Sequence, residues 1–184
     1  MAPSPDPVRI AQAEWQELPP EPWKNGAGVT RTLAVDTQPV PRWRVSIADI
    51  ERDGPYSRLP GQDRVSVVLS GEGVTLQGEG KKILLLPGVP TAFAGDVAFQ
   101  SRLLGGPVRV LNLFVLRGAA QGAVSCSGWG RAASPVLAVG SLALGAGPVQ
   151  AFGFAVEADG EPWRGGKPDA VRLDLRVVAA PPAA

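Results

Sequence analysis

Histidine is absent from this chain of 184 residues. That absence removes Ser-His-Asp and Cys-His nucleophile systems, imidazole acid–base chemistry and every histidine-ligated metal site. A single cysteine, Cys126, leaves no intramolecular disulfide. It fits a reducing compartment, and a buried inert thiol is the ordinary state of such a residue. Long apolar runs are missing too, since no stretch approaches the roughly 18 consecutive apolar residues of a membrane helix. Met1 to Ile10 shows neither a basic n-region nor an apolar h-region, so the expectation is a cytoplasmic chain with no membrane partner. Nor is there an excess of one charge. Lys and Arg number 18 and Asp and Glu 17, for a net charge of +1. Without a basic run there is no field to hold nucleic acid, and that partner is excluded.

What remains is a chain built for a core. Hydrophobic residues make up 45%, and only the Pro/Ala-rich ends read as unable to pack. Glycine (23) and proline (19) divide the chain into short runs rich in Val, Leu, Ile and Phe. Many short strands in a sandwich or barrel give that rhythm. Several runs alternate with period two. In "WRVSIADI", Trp43, Val45 and Ile47 share a face opposite Arg44, Ser46 and Ala48. "RVSVVLS" sets Val65, Val67 and Leu69 against Arg64, Ser66 and Val68, and "VRLDLRVV" near the end alternates in the same way. Further strands are expected at "GVTLQ", "KKILLLP", "VAFQSRL", "PVRVLNLFVLRG", "SLALGAG" and "VQAFGFAVE". "LSGEG", "LQGEGKK" and "LLGGPV" read as hairpin ends. "AQAEWQEL" fits two helical turns or a strand equally. No linker divides the chain, so 1–184 reads as one domain.

Candidate chemistry sits on the strands. "KNGAG" is not a dinucleotide loop, because no strand precedes it, no helix follows it and Arg31 stands at the third glycine position. Asn25-Gly26 instead reads as a tight reversing turn, beside Trp23 and Lys24. Arg31 shares a face with Val29, Leu33 and Val35, and a cation there must meet an acid or line a wet cavity. Arg44 and Arg64 sit beside serines on mixed faces, and Asn112 interrupts an apolar face made by Val110, Phe114 and Leu116. Each arginine taken singly reads as a rim charge or half of an ion pair. Taken together, guanidinium forks on separate strands of a closed barrel suggest an anion-lined cavity.

"PWKNGAGVTR", "WRVSIADIERDGPYSRLPGQDR", "LLGGPVRVLNLFVLRG" and "FAGD" at Phe93 resemble the HutD/Ves family through most of residues 20 to 118. The resemblance implies an all-β, cupin-like jelly roll: a single-chain bicupin of two packed sandwich halves, here approximately 8–108 and 109–184. It implies a regulatory or flux-limiting role in histidine utilisation, through a small acid such as urocanate or formylglutamate. Ligand-binding positions are expected at Trp23, Lys24, Asn25, Arg31, Arg44, Ser46, Tyr56, Arg64, Asn112 and Arg117. Ala27 stands where the family's turn most often has glycine, and Tyr56 adds a hydroxyl near the family's usual Phe. Cupin metal ligands are normally histidines, so a barrel without metal or other cofactor is expected.

Three readings follow. The first is a non-catalytic sensor of a small carboxylate. The second is a metal-independent isomerase or hydrolase, with Lys24 as base and Tyr56 or a carboxylate as acid. The third is a structural or protein-binding module whose arginines face bulk solvent. A homodimer through a sheet edge is compatible with each.

Overall fold

The computed structural model describes residues 18–36 and 38–127, together with strands 135–140, 149–158 and 171–179. The described residues contain strands and no helix, hence no helix long and apolar enough to cross a membrane. In chain order the strands are β1 (Glu21–Pro22), β2 (Gly28–Val35), β3 (Trp43–Ile50), β4 (Gly54–Tyr56) and β5 (Gln62–Ser70). Then come β6 (Val74–Gly78), β7 (Lys81–Leu85), β8 (Thr91–Ala94), β9 (Phe99–Leu103) and β10 (Val108–Leu116). The last are β11 (Ala120–Ser127), β12 (Pro135–Gly140), β13 (Val149–Ala158) and β14 (Val171–Ala179).

Six strands form a central sheet in the order β1-β2-β3-β10-β5-β8. Two four-stranded sheets accompany it, β4-β9-β6-β7 and β11-β14-β13-β12, and every pairing within a sheet is antiparallel. Side-chain alternation decides which face meets which neighbour. Val45, Ile47, Val65, Val67, Leu111 and Leu113 pack on one side with Ala120, Leu175 and Val177 of β11 and β14. Ala48, Ile50, Val68, Val108 and Val110 point the other way and pack with Tyr56, Val74, Leu76, Leu85 and Phe99. An antiparallel sheet commonly keeps one face wet; this one is covered on both. Each buried aliphatic side chain contributes about 1.5–3 kcal/mol, so the central strands carry most of the described fold's stability.

The alternation expected for "WRVSIADI" and "RVSVVLS" is the observed one. "KNGAG" forms the expected turn: Gly26 has φ 66°, its N–H donates to Trp23 O, and Asn25 Oδ1 accepts from Ala27 N at 3.0 Å. "LQGEGKK" is a two-residue hairpin, with Gly78 opposite Lys81 and positive φ at Glu79 (49°) and Gly80 (73°). "LSGEG" and "LLGGPV" are not hairpins. They carry the chain from one sheet to another, because β5 is already paired on both edges by β10 and β8, and β9 by β4 and β6. No hydrogen-bonding edge is left for β6 on β5, or for β10 on β9. "SLALGAG" and nearly all of "AQAEWQEL" lie outside the described residues. The division expected near residue 108 falls at β10, which lies between β3 and β5 in the middle of the central sheet.

Candidate functional site

Two polar rungs cross the face of the central sheet that looks toward the β4-β9-β6-β7 sheet. Register aligns Thr32, Ser46, Asn112, Ser66 and Thr91 on adjacent strands as the first rung. Two residues along, Arg44, Phe114, Arg64 and Phe93 form the second, with cations and rings alternating. The Arg44 guanidinium lies 4.7 Å from the Phe114 ring centroid, and that of Arg64 lies 4.8 Å from the same ring. Arg64 also faces Phe93 at 5.2 Å and Tyr56, reaching across from β4, at 4.4 Å. It is thus held among three aromatic rings.

Arg64 is 5% exposed. Its Nη2 donates to Asn112 Oδ1 at 3.1 Å, and the same oxygen accepts from Ser66 Oγ at 2.7 Å. Among the described residues no carboxylate lies within ion-pair distance of Arg64, whereas Arg31, Arg42, Arg44, Arg102 and Arg109 each have one and Arg117 has two. Burying an ion costs several kcal/mol. Desolvated cation–π contacts return about 2 kcal/mol apiece, and the charge-assisted amide bond about 1.5–3. These contacts offset the desolvation but add no countercharge. Burial pulls the Arg64 pKa below the ordinary arginine value, Tyr56 acts against that shift, and the Arg44 charge adds to it.

Arg44, Ser46, Tyr56, Arg64, Asn112 and Phe114 line an inner cavity of about 90 Å³ with Trp23, Thr30, Ser57 and Leu59. An outer vestibule of about 630 Å³ shares Trp23, Thr30, Arg44, Tyr56 and Ser57 with it and adds Glu21, Lys24, Asn25, Arg58 and Gln100. Trp23 stands at the junction, its Nε1 donating to Thr30 Oγ1 at 2.8 Å and its ring edge-on to Tyr56 at 6.1 Å. Three buried polar atoms on residues that line the inner cavity have no protein partner: Arg64 Nε, Ser46 Oγ and Tyr56 Oη. Each can donate a hydrogen bond. A guest that accepts several hydrogen bonds and carries negative charge answers all three, and a carboxylate is such a group.

Of the ten positions expected to bind a ligand, eight line one or both cavities: Trp23, Lys24, Asn25, Arg44, Ser46, Tyr56, Arg64 and Asn112. Lys24 and Asn25 are exposed at the vestibule rim. Asn25 also braces the turn, with its Nδ2 donating to Pro55 O at 3.2 Å. Arg31 and Arg117 are not brought there. Arg31 is cross-strand from Ile47 on the opposite face, 3.5 Å from Asp49, which also accepts from Arg109 Nε at 2.6 Å. Arg117 lies at the surface between Asp63 and Asp96. Its hydrogen bond, helped by the Gly61 N–H, holds the Asp96 carboxyl down at about 2. Thr30, Ser57, Phe93 and Phe114 join the site without having been expected there. Phe114 was within reach, since it shares a face with Asn112 two residues away.

The HutD family model matches residues 15–144. An uncharacterized 21.2 kDa protein in the hutC 3′ region of Pseudomonas putida is 40% identical over 102 residues, 53% of this chain and 54% of that protein. Protein Ves of Citrobacter koseri is 36% identical over 107 residues, 55% of this chain and 56% of the relative. The chain therefore spans about half the length of the curated relatives it matches. A solved structure of HutD from Pseudomonas fluorescens SBW25 is 25% identical, with a TM-score of 0.58 over 89% of this chain and 90% of that one. With the family model spanning well over half of the sequence and the solved HutD aligning along nearly all of it, the chain belongs to the HutD family.

Proposed function

We propose that this chain is a metal-independent, non-catalytic binding protein for a small carboxylate metabolite. The observation that carries the reading is Arg64, a buried cation with rings and an amide around it and no described acid to neutralise it. A carboxylate entering the inner cavity meets the free donors of Arg64, Ser46 and Tyr56, while the rest of the molecule lies in the vestibule near Trp23, Arg44 and Lys24. The solved Pseudomonas fluorescens HutD comes from a formate condition, and formate is the smallest carboxylate.

The proposed setting is the cytoplasm, with the protein regulating or limiting histidine utilisation by sensing urocanate or formylglutamate. The relative in the hutC 3′ region supports the link to histidine utilisation. The cupin-like bicupin organisation belongs to the same proposal and is supported by the β11-β14-β13-β12 sheet, whose β11 and β14 back the central one. So does a homodimer paired through a sheet edge. Three or four charge-assisted bonds at the upper end of about 1.5–3 kcal/mol each, less the lower end of the roughly 4–15 kcal/mol for association, leave about 5–8 kcal/mol, a micromolar to millimolar affinity that suits a reporter of metabolite level. Calorimetry with urocanate, formylglutamate and glutamate tests the reading. Heat from one of these acids that disappears in Arg64→Met is expected. No heat and no thermal shift with any small carboxylate overturns it.

A further inference from the structure

The carboxylate reading leaves Arg64 charged and buried whenever the metabolite is away. We infer that the inner cavity is an exchangeable halide site: a chloride-class anion neutralises Arg64 between metabolite encounters, and metabolite binding is an anion exchange. The inference rests on the carboxylate reading for its competitor, and on the charge balance of the cavity for its own substance.

Three observations carry it. Arg64 has no described acid within ion-pair distance, and Glu21, the one carboxylate of the vestibule, instead accepts from Thr32 Oγ1 at 2.8 Å and lies 4.0 Å from Arg44. Arg44, whose charge Glu21 answers from the vestibule side, brings no negative charge to the inner lining. The unpaired polar atoms Arg64 Nε, Ser46 Oγ and Tyr56 Oη are all able to donate. Water filling about 90 Å³ would satisfy those donors but leave the charge uncompensated in a ring-lined, low-dielectric space, where an unpaired ion is most costly. A halide has the complementary character. It is small, sheds much of its hydration, accepts from several donors at once and needs no donor of its own to be satisfied. A hydrated or multiply charged oxyanion is a poorer occupant of so small a space.

The regulatory consequence follows from mass action. A resident halide competes one-for-one with the carboxylate, so a tenfold rise in chloride above its own dissociation constant raises the apparent Kd of the carboxylate about tenfold. General screening weakens binding equally in any salt of the same ionic strength. The experiment titrates the full chain with sodium acetate in increasing sodium chloride, holding ionic strength constant with 2-(N-morpholino)ethanesulfonate, whose tetrahedral sulfonate is bulkier than a planar carboxylate. Crystals soaked in sodium bromide are measured at the bromine absorption edge. Chloride-specific, one-for-one competition and an anomalous peak beside Arg64 are expected. Tyr56→Phe and Ser46→Ala, each removing one donor and no core volume, should weaken both anions several-fold. Acetate binding that is indifferent to chloride, with no bromide peak, overturns the inference and leaves the carboxylate reading standing. Bromide at Arg64 with no binding of acetate, urocanate, formylglutamate or glutamate upholds the halide site and removes the metabolite. Neither anion binding to the folded chain overturns both.

Discussion

The two faces of the six-stranded sheet treat their arginines differently. On the face toward β11 and β14, Arg31 and Arg109 share Asp49, three side chains each about a quarter to a third exposed. On the face toward the β4-β9-β6-β7 sheet, Arg44 meets Glu21 at 4.0 Å beside the open vestibule, but Arg64 is buried and its partners are Tyr56, Phe93, Phe114 and Asn112. A cation matched by an acid of its own chain has no electrostatic vacancy for a guest. A cation held only by rings and an amide keeps its charge available. The first arrangement serves the fold, and the second is the one that can recognise an anion.

The sharpest way to break this comparison is to remove the partner on one face and the cation on the other. Asp49→Asn leaves Arg31 and Arg109 together without their shared carboxylate. At this partial exposure the loss is about 2 kcal/mol, below the 3–5 of a fully buried broken pair because solvent screens it. Arg64→Met removes a buried charge with no acid partner and offers a polarizable chain to the same rings, and Asn112 Oδ1 keeps its bond from Ser66. Its stability should stay within about 1 kcal/mol of the parent, although the proposed carboxylate site is lost. Urea denaturation of both variants checks the pair. A loss for Arg64→Met as large as that for Asp49→Asn would mean that Arg64 is a structural cation after all.

How much of this was readable beforehand depended on register. Period-two alternation was enough to place Val45 and Ile47 opposite Arg44 and Ser46, because direction along a strand is local. It could not settle the fates of Arg31 and Arg64, since an arginine on an apolar face and one on a mixed face can each meet an acid or line a cavity. Their fates differ by cross-strand neighbours. Asp49 lies opposite Val29 and Arg109, within reach of Arg31, whereas Arg64 falls between Phe114 and Phe93. That pairing depends on register shifts between Thr32 and Ala34 and between Arg109 and Val110, and a one-residue slip exchanges the faces of a strand. The family resemblance pointed to eight of the cavity residues and also to Arg31 and Arg117, which a motif cannot separate from the rest.

A smaller effect separates acid-matched arginines from the ring-caged one by pH. Asp36 is buried and accepts from Arg42 Nε at 2.6 Å, and that hydrogen bond outweighs burial and holds its pKa below the usual aspartate value. Asp96, bonded to Arg117, sits at about 2. Both carboxyls bind protons less readily folded than unfolded. Their stabilisation is therefore complete above the unfolded aspartate pKa of about 3.9 and is lost as pH falls through the folded values. Thermal melts across that acid window should fall steeply for the parent and less steeply for Asp36→Asn and Asp96→Asn. Arg64 has no such acid and adds nothing to the slope, so Arg64→Met should follow the parent curve. A flattened curve for Arg64→Met would reveal an acid partner and erase the contrast between the faces.

The finest test lies within the first polar rung, where Ser46 and Ser66 flank Asn112 on either side. Both are buried and chemically identical. Ser66 Oγ donates to Asn112 Oδ1 at 2.7 Å, whereas Ser46 Oγ has no protein partner. Ser66→Ala gives up a satisfied internal hydrogen bond and should cost about 1 kcal/mol. Ser46→Ala gives up an unsatisfied hydroxyl, so its stability should be level with the parent or slightly above it, while carboxylate affinity falls several-fold. Denaturation midpoints and acetate titrations on the two variants read both quantities. Equal stability costs would place a hidden partner on Ser46 and remove one of the three free donors. Unequal costs with an unequal loss of acetate binding would assign Ser66 to the scaffold and Ser46 to the guest.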